Sequence, residues 1–227
     1  KSAGIKPIIG YEAYVAPGSR KVKEPTQGVK DAGHHLVLLA RNMDGYRNLL
    51  KLATTAYLDG FYYRPRIDDE ILSQCSEGLI IMTSCLAGEV PRLLAAGHRD
   101  EALKKAAFYR DLVGRENFFV ELQNHGLDDE LRVMPLLADL AGELGVKLVA
   151  TNDVHYVRAE DTKAHDVLLC ISTGKLLADT DRMRYKAEEF HIKSREEMAP
   201  RFADYPASLD TPAEIAERCT LDLDFSK

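Results

Sequence analysis

Asp153 and His155 sit in the run Asn152-Asp153-Val154-His155-Tyr156, directly behind the apolar run Gly145-Val146-Lys147-Leu148-Val149-Ala150. Residues i and i+2 of an extended segment point to the same side, so both side chains can converge on one cation. A carboxylate oxygen and an imidazole nitrogen suit zinc, manganese or iron. A capping aspartate beside a surface histidine fits the same spacing, so the pair needs partners from other strand ends.

The elements that would supply partners alternate between short apolar runs and helical periodicity. Strands are expected at Ile5 to Val15, Leu36–Leu39, Leu79–Met82, Phe118–Leu122 and Leu148–Ala150, with a short extended piece at Glu189–Lys193. Helices are expected over Asp44–Tyr57, Val90–Ala96, Asp100–Val113, Asp128–Leu144, Thr162–Thr173, Arg195–Phe202 and Thr211–Cys219. The first of them carries Tyr46, Leu49, Leu50, Ala53 and Tyr57 at helical spacing. Pro135 lacks a donor and is expected to kink or divide its helix. Pro17 through Gly33 is polar and glycine-rich, an exposed loop. Continuous apolar strands separated by helices argue for a mostly parallel α/β sheet or barrel. Ligand sites in such folds gather at the carboxyl ends of strands. Three ends stand out: Thr83-Ser84-Cys85, Glu121 to His125, and Asn152 to His155.

Composition narrows the classes. The chain has 227 residues, 45% hydrophobic and 29% charged, ordinary for a globular protein with a large core. No apolar run approaches the roughly 18–20 residues that span a membrane, and no signal peptide is visible. A first residue other than methionine fits an internal piece of a longer polypeptide. Cys75, Cys85, Cys170 and Cys219 form no C-x-x-C pair, which argues against a zinc ribbon or a disulfide framework and for a reducing cytosol. Net charge is −6, so no global pull toward nucleic acid exists. The basic stretch from Arg99 to Arg115 is broken by Asp100, Glu101 and Asp111 and reads as a solvated helix face. There is no glycine-rich phosphate loop and no fixed-period repeat.

Several segments together carry a specific resemblance. Gly4-Ile5-Lys6-Pro7-Ile8-Ile9-Gly10-Tyr11-Glu12, His35-Leu36-Val37-Leu38-Leu39-Ala40, Thr83-Ser84-Cys85-Leu86 and Ala150 to Tyr156 resemble successive metal motifs of the PHP (polymerase and histidinol phosphatase) superfamily. Gly60-Phe61-Tyr62-Tyr63-Arg64-Pro65-Arg66-Ile67-Asp68, Phe190-His191-Ile192-Lys193-Ser194 and Glu214 to Cys219 narrow it. Together they are similar to the N-terminal PHP domain of bacterial replicative DNA polymerase III alpha subunits, over essentially the whole chain.

The resemblance implies a distorted β/α barrel, one PHP domain over residues 1–227, with residues 190–227 leading toward a polymerase palm. It implies a multinuclear metal cluster, zinc with manganese or magnesium as alternatives, to which Glu12, His35, Cys85, Asp153 and His155 contribute. The family's H-x-H motif, a following acidic residue and a later histidine fall before Lys1, so this stretch is expected to lack the first strand or two of the barrel and those ligands. Partners implied are DNA, a separate proofreading exonuclease subunit and a sliding clamp. Three readings follow: a metal-dependent 3′→5′ exonuclease with Asp153 and His155 as candidate catalytic residues, a scaffold that docks a proofreading subunit, and a stand-alone PHP phosphatase. The family's polymerase aspartates lie downstream of Lys227.

Each residue has a plainer reading beside this one. Glu12 interrupts an apolar strand, where a buried charge is expensive unless paired or on metal. His34 and His35 face opposite ways; the resemblance selects His35 and leaves His34 to solvent. Cys85 alone reads as a small buried hydrophobe, and as a ligand only beside other donors. Glu121 and His125 flank a strand end and stay off the ligand set: Glu121 could support the site or shape the cleft, and a structural glutamate with a loop histidine fits equally well. His98, His165 and His191 have no partner spacing.

Overall fold

The structure, a computed structural model, describes residues 3–26, 29 and 33–223. Six strands form one sheet: β1 (Gly10–Val15), β2 (His34–Ala40), β3 (Arg66–Ile67), β4 (Leu79–Met82), β5 (Phe118–Gln123) and β6 (Lys147–Thr151), in the order β3-β1-β2-β4-β5-β6. Eight helices lie among the described residues: α1 (Met43–Leu58), α2 (Asp69–Gln74), α3 (Glu89–Ala95), α4 (Arg99–Val113), α5 (Asp128–Leu144), α6 (Thr162–Thr173), α7 (Arg195–Met198) and α8 (Thr211–Arg218).

The sheet is mixed rather than mostly parallel. β2 runs antiparallel to both β1 and β4, whereas β3–β1, β4–β5 and β5–β6 are parallel. This α/β arrangement fits a distorted barrel, and among the described residues the barrel does not close between β3 and β6.

Local chemistry explains the boundaries. β1 begins only at Gly10, because Pro7 cannot donate to a ladder; Ile5 and Ile8 stay exposed. The N-cap Asn42 accepts from the Gly45 N–H at 3.0 Å to start α1. Asp68 caps α2 in the same way, accepting from Ile71 N–H at 3.1 Å. Gly145, in the left-handed region at φ 64°, closes α5 through its N–H to the Ala141 and Gly142 carbonyls. Pro135 does not divide α5; the carbonyl it leaves without an intrahelical donor belongs to Leu131, on the exposed side. β3 and α2 were not expected from sequence. Of the Pro17–Gly33 loop, residues 27, 28 and 30–32 lie outside the described residues, as do 224–227 of the expected lead toward a palm.

Period-2 alternation gives the sheet two buried faces. Leu36, Leu38, Ile81, Phe118, Val120 and Leu122 point to the large core under the helices. Ile80, Met82, Phe119 and Val149 point the other way, against Ile215 and Cys219 at α8, with Val37 and Leu39 beside them. The second face matters for function, because the residues next along the same strands, Glu121 after Phe119 and Thr151 after Val149, continue it. α8 is seated by Lys6 Nζ on the Ala216 carbonyl (2.5 Å), by Arg218 on the Glu116 carbonyl and by Thr220 N–H on the Arg41 carbonyl (2.7 Å). α4 is less solvated than its charge suggests, since Lys105 reaches Asp69 at 2.7 Å and Glu89 at 3.0 Å.

Candidate metal centre

The β1–β2 register pairs Glu12 with Val37 and Tyr14 with His35, so Glu12, Tyr14, His35 and Val37 share one face of the sheet. Glu12 is only partly buried: its side chain is 40% exposed, because this face opens into a cavity of about 330 Å³. His34 is the reverse of the expectation. Alternation puts it on the helix-covered face with Leu36 and Leu38, where it is buried and its Nδ1 finds no hydrogen-bond partner among the described residues. Burial, with Arg92 and Lys105 nearby, pushes its pKa down to about 4, so it stays neutral.

Cys85 joins the pair from the loop after β4, where Ser84 takes a left-handed φ of 64°. Glu12 Oε1 lies 2.9 Å from His35 Nδ1, and Cys85 Sγ lies 3.7 Å from the same nitrogen. The Ser84 hydroxyl donates to Glu12 Oε1 at 2.7 Å, and the Ala87 N–H reaches Cys85 Sγ at 3.5 Å. The ligand atoms of Glu12, His35 and Cys85 all lie within 4.8 Å of one another. A carboxylate, an imidazole and a thiol at these separations could hold a metal ion. Burial disfavours a charge on His35, but Cys85 and Glu12 outweigh it and raise its pKa to about 10. Burial likewise pushes the Glu12 carboxyl up, and the hydrogen bonds from His35 and Ser84 more than reverse it, leaving it below the usual carboxylate range.

Asp153 and His155 line the same cavity from the end of β6. They do not join the tight trio: Asp153 Oδ1 is 4.0 Å from His155 Nδ1. Asp153 too is held in the left-handed region, at φ 39°. Its carbonyl accepts from His155 Nδ1–H at 2.5 Å, which fixes the tautomer and presents Nε2, the arrangement typical of a ligating histidine. The Tyr185 hydroxyl donates to that Nε2 at 2.7 Å. Burial, with Asp153, Cys85 and Glu12 around it, pushes Tyr185 up to about 12, so the donor keeps its proton. Burial, reinforced by Glu12, outweighs His155, His125 and His35 in raising the Asp153 carboxyl.

Tyr185 escaped the sequence reading, whereas Glu121 and His125 stood out there at the end of β5. Glu121, buried, accepts from the Ser84 N–H (3.0 Å), the Thr151 hydroxyl (2.5 Å) and the Gln123 amide (3.0 Å), so one carboxylate ties the ends of β4, β5 and β6. His125 is wholly enclosed: its Nδ1–H and backbone N–H both donate to Glu130 at 2.6 Å, and its Nε2–H donates to the Asn152 carbonyl at 3.0 Å. Burial lowers its pKa, and Glu130 and the Asn152 carbonyl more than offset that. Asn152 in turn donates to the Glu189 and His191 carbonyls at 2.8 and 2.7 Å. Glu121 and His125 thus direct their polar atoms at protein partners that hold the strand ends together. His165 is not isolated either; its ring lies 5.7 Å from His155 and 5.1 Å from Tyr185. His98 pairs with Glu101 on the surface at 3.4 Å, and His191 bridges to Tyr156. All four cysteines are free.

Comparison with known proteins decides the family, since the signature described as "PHP domain" matches residues 1–125. The chain belongs to the PHP domain family. The match runs through β1, β2, β4 and β5 and includes Glu12, His35 and Cys85. Beyond it, 219 aligned residues are 51% identical to the DNA polymerase III subunit alpha of Treponema pallidum (strain Nichols), covering 96% of this chain and 18% of that protein. The subunits named identically are 44% identical in Thermus aquaticus (97% of this chain, 18% of that protein) and 42% identical in Deinococcus radiodurans (98% and 17%). The chain thus spans about a fifth of the length of these curated relatives. No helix among the described residues of this PHP domain is long and apolar enough to cross a membrane.

Proposed function

We propose that residues 1–227 are the PHP portion of a bacterial replicative DNA polymerase, and that their cavity is a divalent-metal phosphoesterase site acting as a 3′→5′ exonuclease on mispaired ends. The observation that carries this is the convergence of Glu12, His35 and Cys85 within 4.8 Å, in the cavity that Asp153 and His155 also line. Zinc suits the sulfur and imidazole donors, with manganese or magnesium as alternatives at the carboxylates. When bound, such cations polarise a phosphodiester and lower the pKa of an attached water.

The chain's own residues prepare that chemistry. Ser84 and Glu121 hold Glu12 and the strand ends at fixed separation. The Asp153 carbonyl keeps the His155 proton on Nδ1, leaving Nε2 as the lone-pair atom. Tyr185 holds a proton beside it, and Arg184 and Lys186 place positive charge at the cavity rim, where a phosphate would approach. DNA, a proofreading exonuclease subunit and a sliding clamp are the partners of the complete polypeptide in this reading, which works in the cytoplasm.

The test uses the complete polypeptide, purified free of other nucleases, with a mispaired primer. Zinc- or manganese-dependent trimming is expected, and Asp153→Asn with His155→Ala is expected to abolish it; unchanged trimming by that variant sinks the catalytic reading. Cys85→Ser is expected to shift the metal requirement away from zinc, read as metal content.

One observation favours the scaffold reading. Both nitrogens of His155 have protein partners, the Asp153 carbonyl and the Tyr185 hydroxyl. That reading predicts that the same variants weaken subunit binding or thermal stability and leave no nuclease to lose. The stand-alone phosphatase is the weakest of the three, because the relatives are long polymerase subunits.

A further inference from the structure

The end of α1 and the turn to β3 have no part in the ligand set, yet they display three exposed aromatic rings side by side. Tyr63 is 75% exposed, Tyr57 65% and Phe61 48%. Tyr62 and Tyr63 meet edge to face at 4.6 Å, and Tyr57 and Phe61 lie 6.3 Å apart. The turn that displays them is rigid. Arg66, itself buried, donates from Nε to the Gly60 carbonyl at 3.1 Å and from Nη2 to the Val22 carbonyl at 2.8 Å, and its guanidinium covers the Tyr62 ring at 5.0 Å. A Cβ on Gly60 would fall 1.9 Å from the Arg66 carbonyl, so the backbone closes tightly there. Tyr63 is held at φ 57°, a conformation a bulky side chain rarely adopts, and surrounding structure must hold it there.

The turn also reaches the candidate metal centre through ring contacts. The Arg64 guanidinium sits 5.7 Å over the Tyr14 ring, and Tyr14 stands edge-on to the His35 imidazole at 4.9 Å. Arg64 is thus one ring away from a metal-ligand candidate. Exposed aromatic faces interleaved with arginine are the composition of a single-strand nucleic-acid platform, where bases stack on rings and a guanidinium takes phosphate or stacks in turn. The ring contacts carry this patch to the edge of the metal cavity, which favours a strand end over a docked protein.

We infer that the Phe61–Arg66 turn, with Tyr14, is a stacking platform for the terminal nucleotides of a single-stranded nucleic acid, with Tyr63 under a base and Arg64 on a phosphate, delivering the strand end to Glu12, His35 and Cys85. This rests on the phosphodiesterase reading for its direction, although the platform itself does not require hydrolysis. Nearby carboxylates temper the charge: Asp59 precedes the turn, Glu24 lies near Tyr62, and Asp68 is held by Arg20. Stacking rather than Coulomb attraction therefore dominates, and binding here has a shallow salt dependence.

The experiment uses the complete polypeptide and an oligothymidylate carrying 5-iododeoxyuridine at its 3′ end. Photocrosslinks are mapped by mass spectrometry, and bound metal is measured on the same samples. Crosslinks at Tyr14, Tyr62 or Tyr63 are expected, with yield falling about tenfold in Tyr63→Ala, retained in Tyr63→Phe, and falling in Arg64→Gln without loss of bound metal. Crosslinks confined to other regions overturn the platform, as does an unchanged yield in Tyr63→Ala. A Tyr63→Ala variant that loses a protein partner while keeping its crosslinks overturns it too, in favour of a docking face. Crosslinking at these tyrosines in a protein that never trims the oligonucleotide supports the platform and counts only against the nuclease.

Discussion

Glu121→Gln separates a scaffolded metal centre from a chance meeting of ligands. The native carboxylate accepts from three donors on three strand ends: Ser84 N–H, the Thr151 hydroxyl and the Gln123 amide. A glutamine keeps the shape but presents only one carbonyl oxygen. Its NH₂ must then face either the Ser84 N–H, which cannot turn away, or the Thr151 and Gln123 side, where the hydroxyl must rotate and the amide must flip. Either arrangement strands a buried donor or forfeits a charge-assisted bond, about 1–3 kcal/mol. For a domain of this size that lowers the melting temperature by about 2–12 °C. Because Ser84 also donates to Glu12, the loss passes into the ligand set, and zinc affinity is expected to fall about 10–100-fold, as for other groups that orient metal ligands. Thermal melts with chelator-competition titrations read both effects. A variant that melts early but binds zinc as tightly as the native protein refutes the reasoning, because Glu121 would then brace the fold without setting the site.

Two further outcomes test the frame around the site. Burial pushes the Asp68 carboxyl up, but N–H donors from Arg20 and Ile71 and the Arg20 guanidinium at 2.8 Å outweigh it, so its folded pKa is depressed. Its stabilisation is therefore present above the unfolded value of about 3.9 and is lost as pH falls through the folded value; urea unfolding from neutral pH down to about pH 2 should show this loss in the native protein, and Asp68→Asn, weaker at neutral pH, should flatten it. Gly45→Ala places a Cβ 2.0 Å from the Gly78 carbonyl, so it should push α1 away from the turn before β4 and destabilise the protein by more than the usual gain from alanine in a helix, read by chemical denaturation; a neutral or stabilising result contradicts the packing described.

Much of the frame was legible because the relevant forces are local. α1 and α5 were readable from 3.6-residue periodicity, and β4 from four apolar residues bounded by turns. β3 and α2 were not, since a two-residue strand carrying an arginine and a six-residue charged helix leave no periodic trace; tertiary hydrogen bonds from Arg66 and the cap at Asp68 define them. The alternation rule separated His34 from His35 but could not say that helices cover the His34 face of β2, which is why His34 is buried rather than solvated. Asp153, His155, Glu12, His35 and Cys85 line one cavity, and the last three have ligand atoms all within 4.8 Å of one another. Ser84, Glu121 and Tyr185 act across 72, 37 and 30 positions of sequence; strand ends pointed to the first two without naming their partners, and nothing local pointed to Tyr185.

The seating of α8 on the second face of the sheet has a consequence for how the chain is made. Ile80, Met82, Phe119 and Val149 are all synthesised well before Ile215 and Cys219, which cover them. A ribosome-bound chain that has completed every strand still carries an open apolar sheet face until α8 clears the exit tunnel. At roughly 5–20 residues per second that exposure lasts for seconds, the interval in which chaperones compete with aggregation. Cutting the gene just before Thr211 would make that transient state permanent, so expression boundaries chosen upstream of α8 should give insoluble protein whatever the merits of the metal centre.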